Sequence, residues 1–245
     1  MGFVTCTESL EEAQEMILKA QAWRHEAKVD SIMEEWGQLG KDGWQLEPKS
    51  PRARAAAELF AAERLPDDAL GGPVMLGRFS SVDMPGISRE NLAELLQNQW
   101  VFMLEDMLHS AHVASVKKQR LVRGSTIIDA SGLRLSVIQY IAEYKPWLDI
   151  MNNDYPDLVR SVVVLNAPAV FVQIWKVLSV LISPLTREKV RIVGSDYTQL
   201  LQEQGLDLDS LPVFLGGKYE GSRLNSKLTV PKGAARGLNV SFGGL

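Results

Sequence analysis

Short apolar runs alternate with longer segments of helical periodicity, and this alternation constrains the fold more than any other feature of the sequence. The runs with the length and composition of strands are Pro73–Phe79, Ser125–Gly132, Ser161–Asn166 and Val190–Ser195. The helical segments are Ser88 to about Gln119, Ser136–Met151, Pro168–Ile182 and Tyr197–Gln204. Strands joined by helices are typical of βαβ units, and runs with almost no polar alternation are typical of strands covered on both faces. The sequence therefore predicts an α/β fold with a mostly parallel sheet.

The segments on either side of this pattern differ from it in composition. Residues 1–65 predict a short helical lobe, with a capping box at Ser9 and Glu12, a helix from Leu10 to Trp23 and a second helix over Arg52–Arg64. Residues 66–221 form the predicted sheet domain. Residues 222–245 form a basic tail, in which KLTV and GLNVSF either pair as a hairpin or belong to a mobile end. The tail's cations either assist contact with an anionic membrane or only keep the chain in solution.

Charge and cysteine content exclude several classes of protein. The 245 residues carry 26 Lys and Arg against 30 Asp and Glu, a net charge of −4, which argues against a nucleic-acid partner. Cys6 is the single cysteine, so an intrachain disulfide is excluded and a reducing compartment is favoured. Met1–Leu10 lacks the basic start and apolar run of a signal peptide, and polar residues interrupt the apolar stretch Ser161–Ile182. We expect a cytoplasmic protein, peripheral to membranes, without a membrane-spanning helix.

Residue patterns that mark enzymes and metal sites are weak. Glu105, His109 and His112 share a helical face, where they form either a metal site or the polar edge of a packed helix. The chain has no nucleophile elbow, no Walker A motif and no dinucleotide fingerprint after a strand. We therefore expect no catalytic residue, no metal and no cofactor.

The Pro168–Ile182 helix is unusual because apolar side chains cover most of its circumference. Two interpretations remain open: a helix buried in the core, or a lid over an apolar cavity that can also meet a membrane. In the SPLTREK segment that follows, Thr186 can cap a helix and Lys189 can donate to a phosphate.

The run from Tyr155 to Gly221 resembles the CRAL-TRIO lipid-binding domain. The Asn166-Ala167-Pro168 turn, the S-P-L-T-x-x-K segment and the LPVFLGGK ending occur in that family's order and spacing. The earlier stretches GGPVMLGRF and STIIDASGLRLS correspond to its first strands, so the resemblance extends over roughly residues 67–221. Within that family, it is similar to the yeast-type phosphatidylinositol-transfer branch.

The resemblance implies a lipid-sized cavity floored by the sheet and closed by a mobile gate helix, Pro168–Ile182. It implies that Asp157, Thr186 and Lys189 hold the lipid headgroup. The implied cavity and gate residues are Thr126, Phe171, Ile174, Trp175 and Leu178. Four positions depart from the family: Asp157 replaces Glu, Cys6 and Thr7 replace an Arg-Lys pair, and Gly124 replaces a Ser of the phosphatidylcholine site. Phosphatidylcholine is therefore not expected as a second ligand.

These inferences predict a lipid-binding and lipid-exchange protein whose ligand is a phospholipid, with phosphatidylinositol the leading candidate. The bound lipid is a ligand and not a cofactor, and the membrane surface is a transient partner. Two alternatives stay open: a protein-interaction scaffold, with an unknown partner and a structural lipid, or a carrier of a non-phospholipid hydrophobic ligand. An enzyme that acts on the lipid is a more distant alternative.

Overall fold

A computed structural model describes residues 2–5, 7–40 and 43–237. The helices are α1 Gly2–Thr5, α2 Leu10–Glu26, α3 Val29–Trp36, α4 Pro51–Leu59, α5 Met84–Arg89, α6 Ala93–Lys118, α7 Ile141–Asn153, α8 Phe171–Leu178, α9 Pro184–Glu188, α10 Thr198–Glu203 and α11 Ala234–Gly237. The strands are β1 Gly37–Gly40, β2 Gly43–Leu46, β3 Ala62–Leu65, β4 Val74–Arg78, β5 Gly124–Asp129, β6 Val159–Leu165 and β7 Val190–Ile192.

The central sheet confirms the predicted α/β fold. It has five strands in the order β3-β4-β5-β6-β7, and β4 to β7 are parallel. The edge strand β3 is antiparallel to β4. The helix predicted over Arg52–Arg64 ends instead at Leu59, and Ala62–Leu65 pair with the sheet as β3.

The two faces of the sheet are built from alternate residues of the same strands. Leu76, Ile127 and Val163 are paired in register and lie in the core that also contains the C-terminal leucines Leu201, Leu206, Leu211, Leu215 and Leu224. The adjacent register row, Met75, Thr126, Val162 and Val190, points to the opposite face. Both faces are therefore covered, which explains why the strand sequences show so little polar alternation.

The N-terminal lobe packs on the long helix α6. Its core includes Ile32, Trp36, Ala56 and Phe102, all buried. The predicted capping box is present in part, since the Ser9 hydroxyl accepts from the Glu12 amide at 3.1 Å. Between α3 and α4, residues 37–46 contain an antiparallel hairpin of β1 and β2 that lies against α6.

The helix predicted from Ser88 to Gln119 is two helices, and Asn91 is the reason for the break. Asn91 has φ 51°, in the left-handed region that ends helices. The Leu92 amide donates to the Ile87 carbonyl at 3.0 Å and the Asn91 amide to the Ser88 carbonyl at 3.1 Å. These bonds form a Schellman motif that ends α5 before α6 begins.

The apolar stretch that could have been mistaken for a membrane span is divided between β6 and α8. Across the described ranges, no helix is both long enough and apolar enough to cross a bilayer.

A buried polar network joins the carboxyl ends of β4, β5 and β6. Asp129 is fully buried and accepts from Arg78 Nε at 3.2 Å, Ser131 Oγ at 2.7 Å and Asn166 Nδ2 at 2.9 Å. Arg78 also donates to the Leu224 carbonyl at 2.6 Å. The network therefore links the strand ends to the C-terminal segment.

Residues 222–230 form neither of the structures considered for the tail. Leu224 and Val230 are buried, and Leu228 N donates to the Ser81 carbonyl at 3.0 Å, so this segment is packed and contains no strand. Arg223 donates to the carbonyls of Ala57 and Ala62. That cation is used inside the protein and is not available to a membrane; residues 238–242 of GLNVSF lie outside the described residues.

We expect Leu224→Ala to lower the free energy of unfolding by about 2–5 kcal/mol, because it removes a fully buried side chain from the core beneath the sheet. The measurement is urea denaturation, with Thr229→Ala, an exposed position of the same segment, as the matched control. Equal stability of the two variants would show that the segment is not part of the cooperative fold.

Candidate functional site

An apolar cavity of about 340 Å³ lies on the face of the sheet that carries Thr126. Its floor includes Met75, Thr126, Val162 and Val190, and Thr126 is the single polar residue of that register row. Helix α7 contributes Tyr144, Trp147, Leu148 and Met151, and the helical lobe and α6 contribute Phe60 and Trp100. A cavity of this size and composition is typical of a site for a hydrophobic small molecule.

Helix α8 closes the side of this cavity. Phe171, Ile174, Trp175 and Leu178, the residues that the family resemblance implies for a gate, all line it. The rings of Phe171 and Trp175 stack with centroids 6.3 Å apart. On the outer side of the segment, Val172 is 59% exposed and Val180 is 72% exposed. The helix is thus apolar on both its cavity side and part of its solvent side.

The gate helix is shorter than its predicted range, Pro168–Ile182. Residues 168–170 form a turn, in which the Phe171 amide donates to the Pro168 carbonyl at 2.8 Å. Beyond Leu178 the chain turns until Ser183, whose ψ of 147° suits a residue before proline. Asn152 holds this turn, donating to the Leu181 carbonyl at 2.8 Å and accepting from the Ser183 amide at 3.1 Å.

Thr186 lines the cavity but does not cap the helix that contains it. Ser183 is the cap of α9, accepting from the Thr186 amide at 3.2 Å. The Ser183 hydroxyl also lies 3.0 Å from the Thr186 hydroxyl. Thr186 therefore presents its side chain to the cavity from the first turn of α9.

Asp157 and Lys189 form a charged cluster next to the cavity. The Lys189 ammonium donates to Asp157 Oδ1, and to the Val159 carbonyl at 2.8 Å. Arg123 donates to Asp157 Oδ2 through Nε, at 2.9 Å, and through Nη2. Thr5 in α1 donates to the same oxygen. Asp157 and Lys189 are absent from the residues that line the cavity, so the structure pairs them beside it rather than within it.

The cluster keeps the Asp157 carboxylate ionised. Burial alone would raise the pKa of Asp157, but the hydrogen bonds from Lys189, Thr5 and Arg123 outweigh burial and lower it. Asp157 has φ 55°, in the left-handed region, so its backbone turns sharply just before β6.

A second cavity, of about 420 Å³, lies on the other side of this cluster and is called here the outer cavity. It is bounded by one face of α6, by residues 120–123 and by residues 154–158. Arg123 and Asp157 line it, together with His112 and Asp154. Burial raises the pKa of Asp154 to about 6, while the charge of Arg24 opposes the shift.

Sequence reasoning missed two features of the site. Arg123 immediately precedes β5, as Lys189 precedes β7, so a basic residue before a predicted strand was the available signal. Tyr144 lines the apolar cavity, and its buried hydroxyl has no hydrogen-bond partner within the described part of the chain.

The metal interpretation of α6 finds no support in the geometry. Glu105 accepts from Arg24 Nη2 at 3.0 Å and from the Tyr155 hydroxyl at 2.5 Å, which makes it a buried ion-pair partner. Within residues 2–5, 7–40 and 43–237, no group of three or more His, Cys, Asp or Glu is placed to hold a metal ion.

Of the two residues at the position of the family's Arg-Lys pair, Cys6 lies outside the described residues and the Thr7 hydroxyl donates to the Phe3 carbonyl at 2.9 Å.

Sequence relatives share most of the length of this chain. It is 25% identical over 215 residues to Sec14 cytosolic factor of Schizosaccharomyces pombe, covering 86% of this chain and 71% of that protein. It is 26% identical over 217 residues to phosphatidylinositol/phosphatidylcholine transfer protein SFH11 of Arabidopsis thaliana, covering 85% of this chain and 53% of that protein. A CRAL-TRIO domain-containing protein of Caenorhabditis elegans is 26% identical over 213 residues, which cover 84% of this chain and 27% of that protein.

The fold also matches a solved structure. The crystal structure of Sfh5 superposes with a TM-score of 0.62 and 14% sequence identity, covering 96% of this chain and 79% of that chain. The family sequence model of the CRAL/TRIO domain matches residues 65–217. These residues include the whole parallel sheet, the gate helix, and Arg123, Asp157 and Lys189 of the charged cluster. By this match, the chain belongs to the CRAL/TRIO domain family.

Proposed function

We propose that this protein binds one phospholipid in the apolar cavity and exchanges it with membranes, and that the preferred lipid is phosphatidylinositol. The observation that carries the proposal is the cavity itself, which is floored by one register row of the sheet and closed by α8. The relatives support a lipid ligand, since one of them is named a phosphatidylinositol/phosphatidylcholine transfer protein. We propose a binding and exchange role without catalysis, at the surface of membranes and outside the bilayer.

The energetics of exchange require an apolar cavity. Each buried CH₂ group is worth about 0.8 kcal/mol, so a chain of ~16 carbons is held in a bilayer by roughly 12 kcal/mol. A protein can remove the lipid when it offers the chain an equally dry environment, because the transfer is then nearly balanced. Selection among lipids must therefore come from contacts with the headgroup.

The charged cluster is the proposed headgroup site. Thr186 lines the cavity, and the Lys189 backbone amide donates to the Thr186 carbonyl at 3.1 Å, so the two residues adjoin. A phosphate at this end of the cavity would accept a charge-assisted hydrogen bond from Lys189 and a neutral one from Thr186. Asp157 is proposed to accept from headgroup hydroxyls.

The exposed side of the gate segment is the proposed membrane contact. Val172 and Val180 are exposed, and Lys176 lies on the same helix surface. Apolar side chains with a neighbouring cation suit weak and reversible contact with an anionic bilayer.

A second candidate, a carrier of a neutral hydrophobic ligand, is favoured by one observation. Lys189 is paired with Asp157 and does not line the cavity, and Arg78, which does line it, is paired with Asp129. The described residues of the cavity therefore offer no unpaired cation to a phosphate. The mass of the lipid that copurifies with the protein distinguishes the two candidates.

The purified protein is expected to carry a phospholipid that native mass spectrometry detects, and Gly77→Leu is expected to reduce the bound fraction severalfold. Gly77 lines the cavity, and a Cβ added there would lie 3.7 Å from its nearest atom, the Ala61 carbonyl oxygen, which is an ordinary van der Waals contact. A larger side chain can therefore fill the cavity without displacing the backbone. Gly77→Ala is the control and should keep its lipid. A wild-type protein that copurifies with no lipid and takes none up from liposomes would contradict the proposed function.

Lys189→Ala is expected to weaken phosphatidylinositol binding about tenfold or more, because a hydrogen bond from a charged group is lost. Binding of a diacylglycerol with the same acyl chains should change little. The measurement is transfer of each labelled lipid between vesicles, with Lys19→Ala, an exposed lysine of α2, as the control. Equal losses for both lipids would rule out the headgroup role of Lys189.

Trp175→Asp is expected to slow lipid loading at least tenfold, since it places a charge on the cavity side of the gate helix. The far-ultraviolet spectrum should stay unchanged. Gln202→Asp, at an exposed position of α10, should load at the wild-type rate. A normal rate for Trp175→Asp would remove the gate assignment.

A further inference from the structure

The charged cluster contains more positive than negative charge. Asp157 contributes one carboxylate, and its side chain is 3% exposed. Arg123 and Lys189 contribute two cations, and their side chains are 27% and 16% exposed. All three residues lie at the amino ends of the parallel strands, next to β5, β6 and β7. The two cations contact different oxygens of the carboxylate, Lys189 at Oδ1 and Arg123 at Oδ2.

This pairing opposes the use of Lys189 as a ligand for a phosphate. While the ammonium is held by Asp157 and by the Val159 carbonyl, its charge is largely compensated. If Lys189 moved toward a phosphate, the buried carboxylate would need another partner, because a buried charge left alone is strongly destabilising.

Arg123 has the geometry to be that partner. It reaches Asp157 Oδ2 through Nε and Nη2, and its Nε also lies 3.2 Å from the Asp157 backbone carbonyl. Its side chain lines the outer cavity and is absent from the lining of the apolar cavity. Arg123 is therefore placed to hold Asp157 from the side opposite the cavity.

We propose that Arg123 is a positioning residue that neutralises Asp157 and so frees the Lys189 ammonium for the phosphate of an anionic lipid. This inference rests on the proposed function and assigns the preference for an anionic headgroup to a residue outside the cavity. Without Arg123, Asp157 and Lys189 form a neutral pair and the site has no excess positive charge. The loss of Arg123 therefore shifts the preference toward uncharged lipids.

The test compares Arg123→Gln with the double variant Arg123→Gln, Asp157→Asn. The probes are labelled phosphatidylinositol and labelled diacylglycerol, each offered in phosphatidylcholine vesicles. Arg123→Gln is expected to lose about tenfold in phosphatidylinositol uptake with little change for diacylglycerol. The double variant is expected to recover phosphatidylinositol uptake, because asparagine keeps an oxygen acceptor but no longer binds Lys189 as a counter-ion.

Arg120→Gln is the matched control, since Arg120 also lines the outer cavity but donates to the Leu70 carbonyl, at 3.0 Å. Unchanged uptake of phosphatidylinositol by Arg123→Gln would overturn the inference. A double variant as weak as Arg123→Gln would also overturn it, because a direct contact with the lipid or a purely structural role predicts no rescue. If Arg123→Gln does not fold, the double variant is compared directly with Lys189→Ala, because the double variant leaves no unpaired carboxylate. The inference then requires that the double variant take up more phosphatidylinositol than Lys189→Ala. A wild-type protein that takes up neither probe contradicts the proposed function and not only this inference.

Discussion

A sheet that packs against a core on one face and borders a cavity on the other must be held in place by contacts outside the cavity. In this protein the packed face rests on C-terminal leucines, including Leu224, which is fully buried. Asp129 binds the carboxyl ends of three strands together, because it accepts hydrogen bonds from Arg78, Ser131 and Asn166. The strands therefore keep their register without side chains filling the space above Thr126. That space is what allows the fold to accommodate a hydrophobic molecule.

The site separates two kinds of chemistry that a phospholipid combines. The cavity offers apolar surface, while the charges lie beside it at the amino ends of the strands. Asp157 links the two sides of this charged end, since Lys189 approaches it next to the cavity and Arg123 approaches it from the outer cavity. Because the carboxylate is buried and ionised, a change at either cation affects the other. In the proposed function, headgroup preference is thus a property of the cluster and not of one residue.

The strands and the apolar character of α8 were predictable from the sequence because their patterns are local. The run Ser161–Asn166 is β-branched and ends at a turn signal, and it is part of β6. Elements that depend on distant partners were missed. Residues 62–64 continue a helix by composition but pair with β4, and Val230 of the KLTV segment is buried in the core that contains Ile87 of α5. Asn91 was a local signal, because asparagine often adopts the left-handed conformation that ends a helix. Helical periodicity alone does not show this break.

The family resemblance implied which residues of α8 line the cavity, while the sequence by itself determined the mostly parallel α/β sheet and the apolar character of that helix. These follow from side-chain periodicity and backbone preference, which act over a few neighbours. Only the tertiary structure decided that Lys189 is bound to Asp157 and that Arg123 shares the same carboxylate. Such pairs join residues far apart in the chain, and the closing of parallel strands brings their amino ends together. No local pattern specifies which charges then meet, because register and burial arise from the whole sheet.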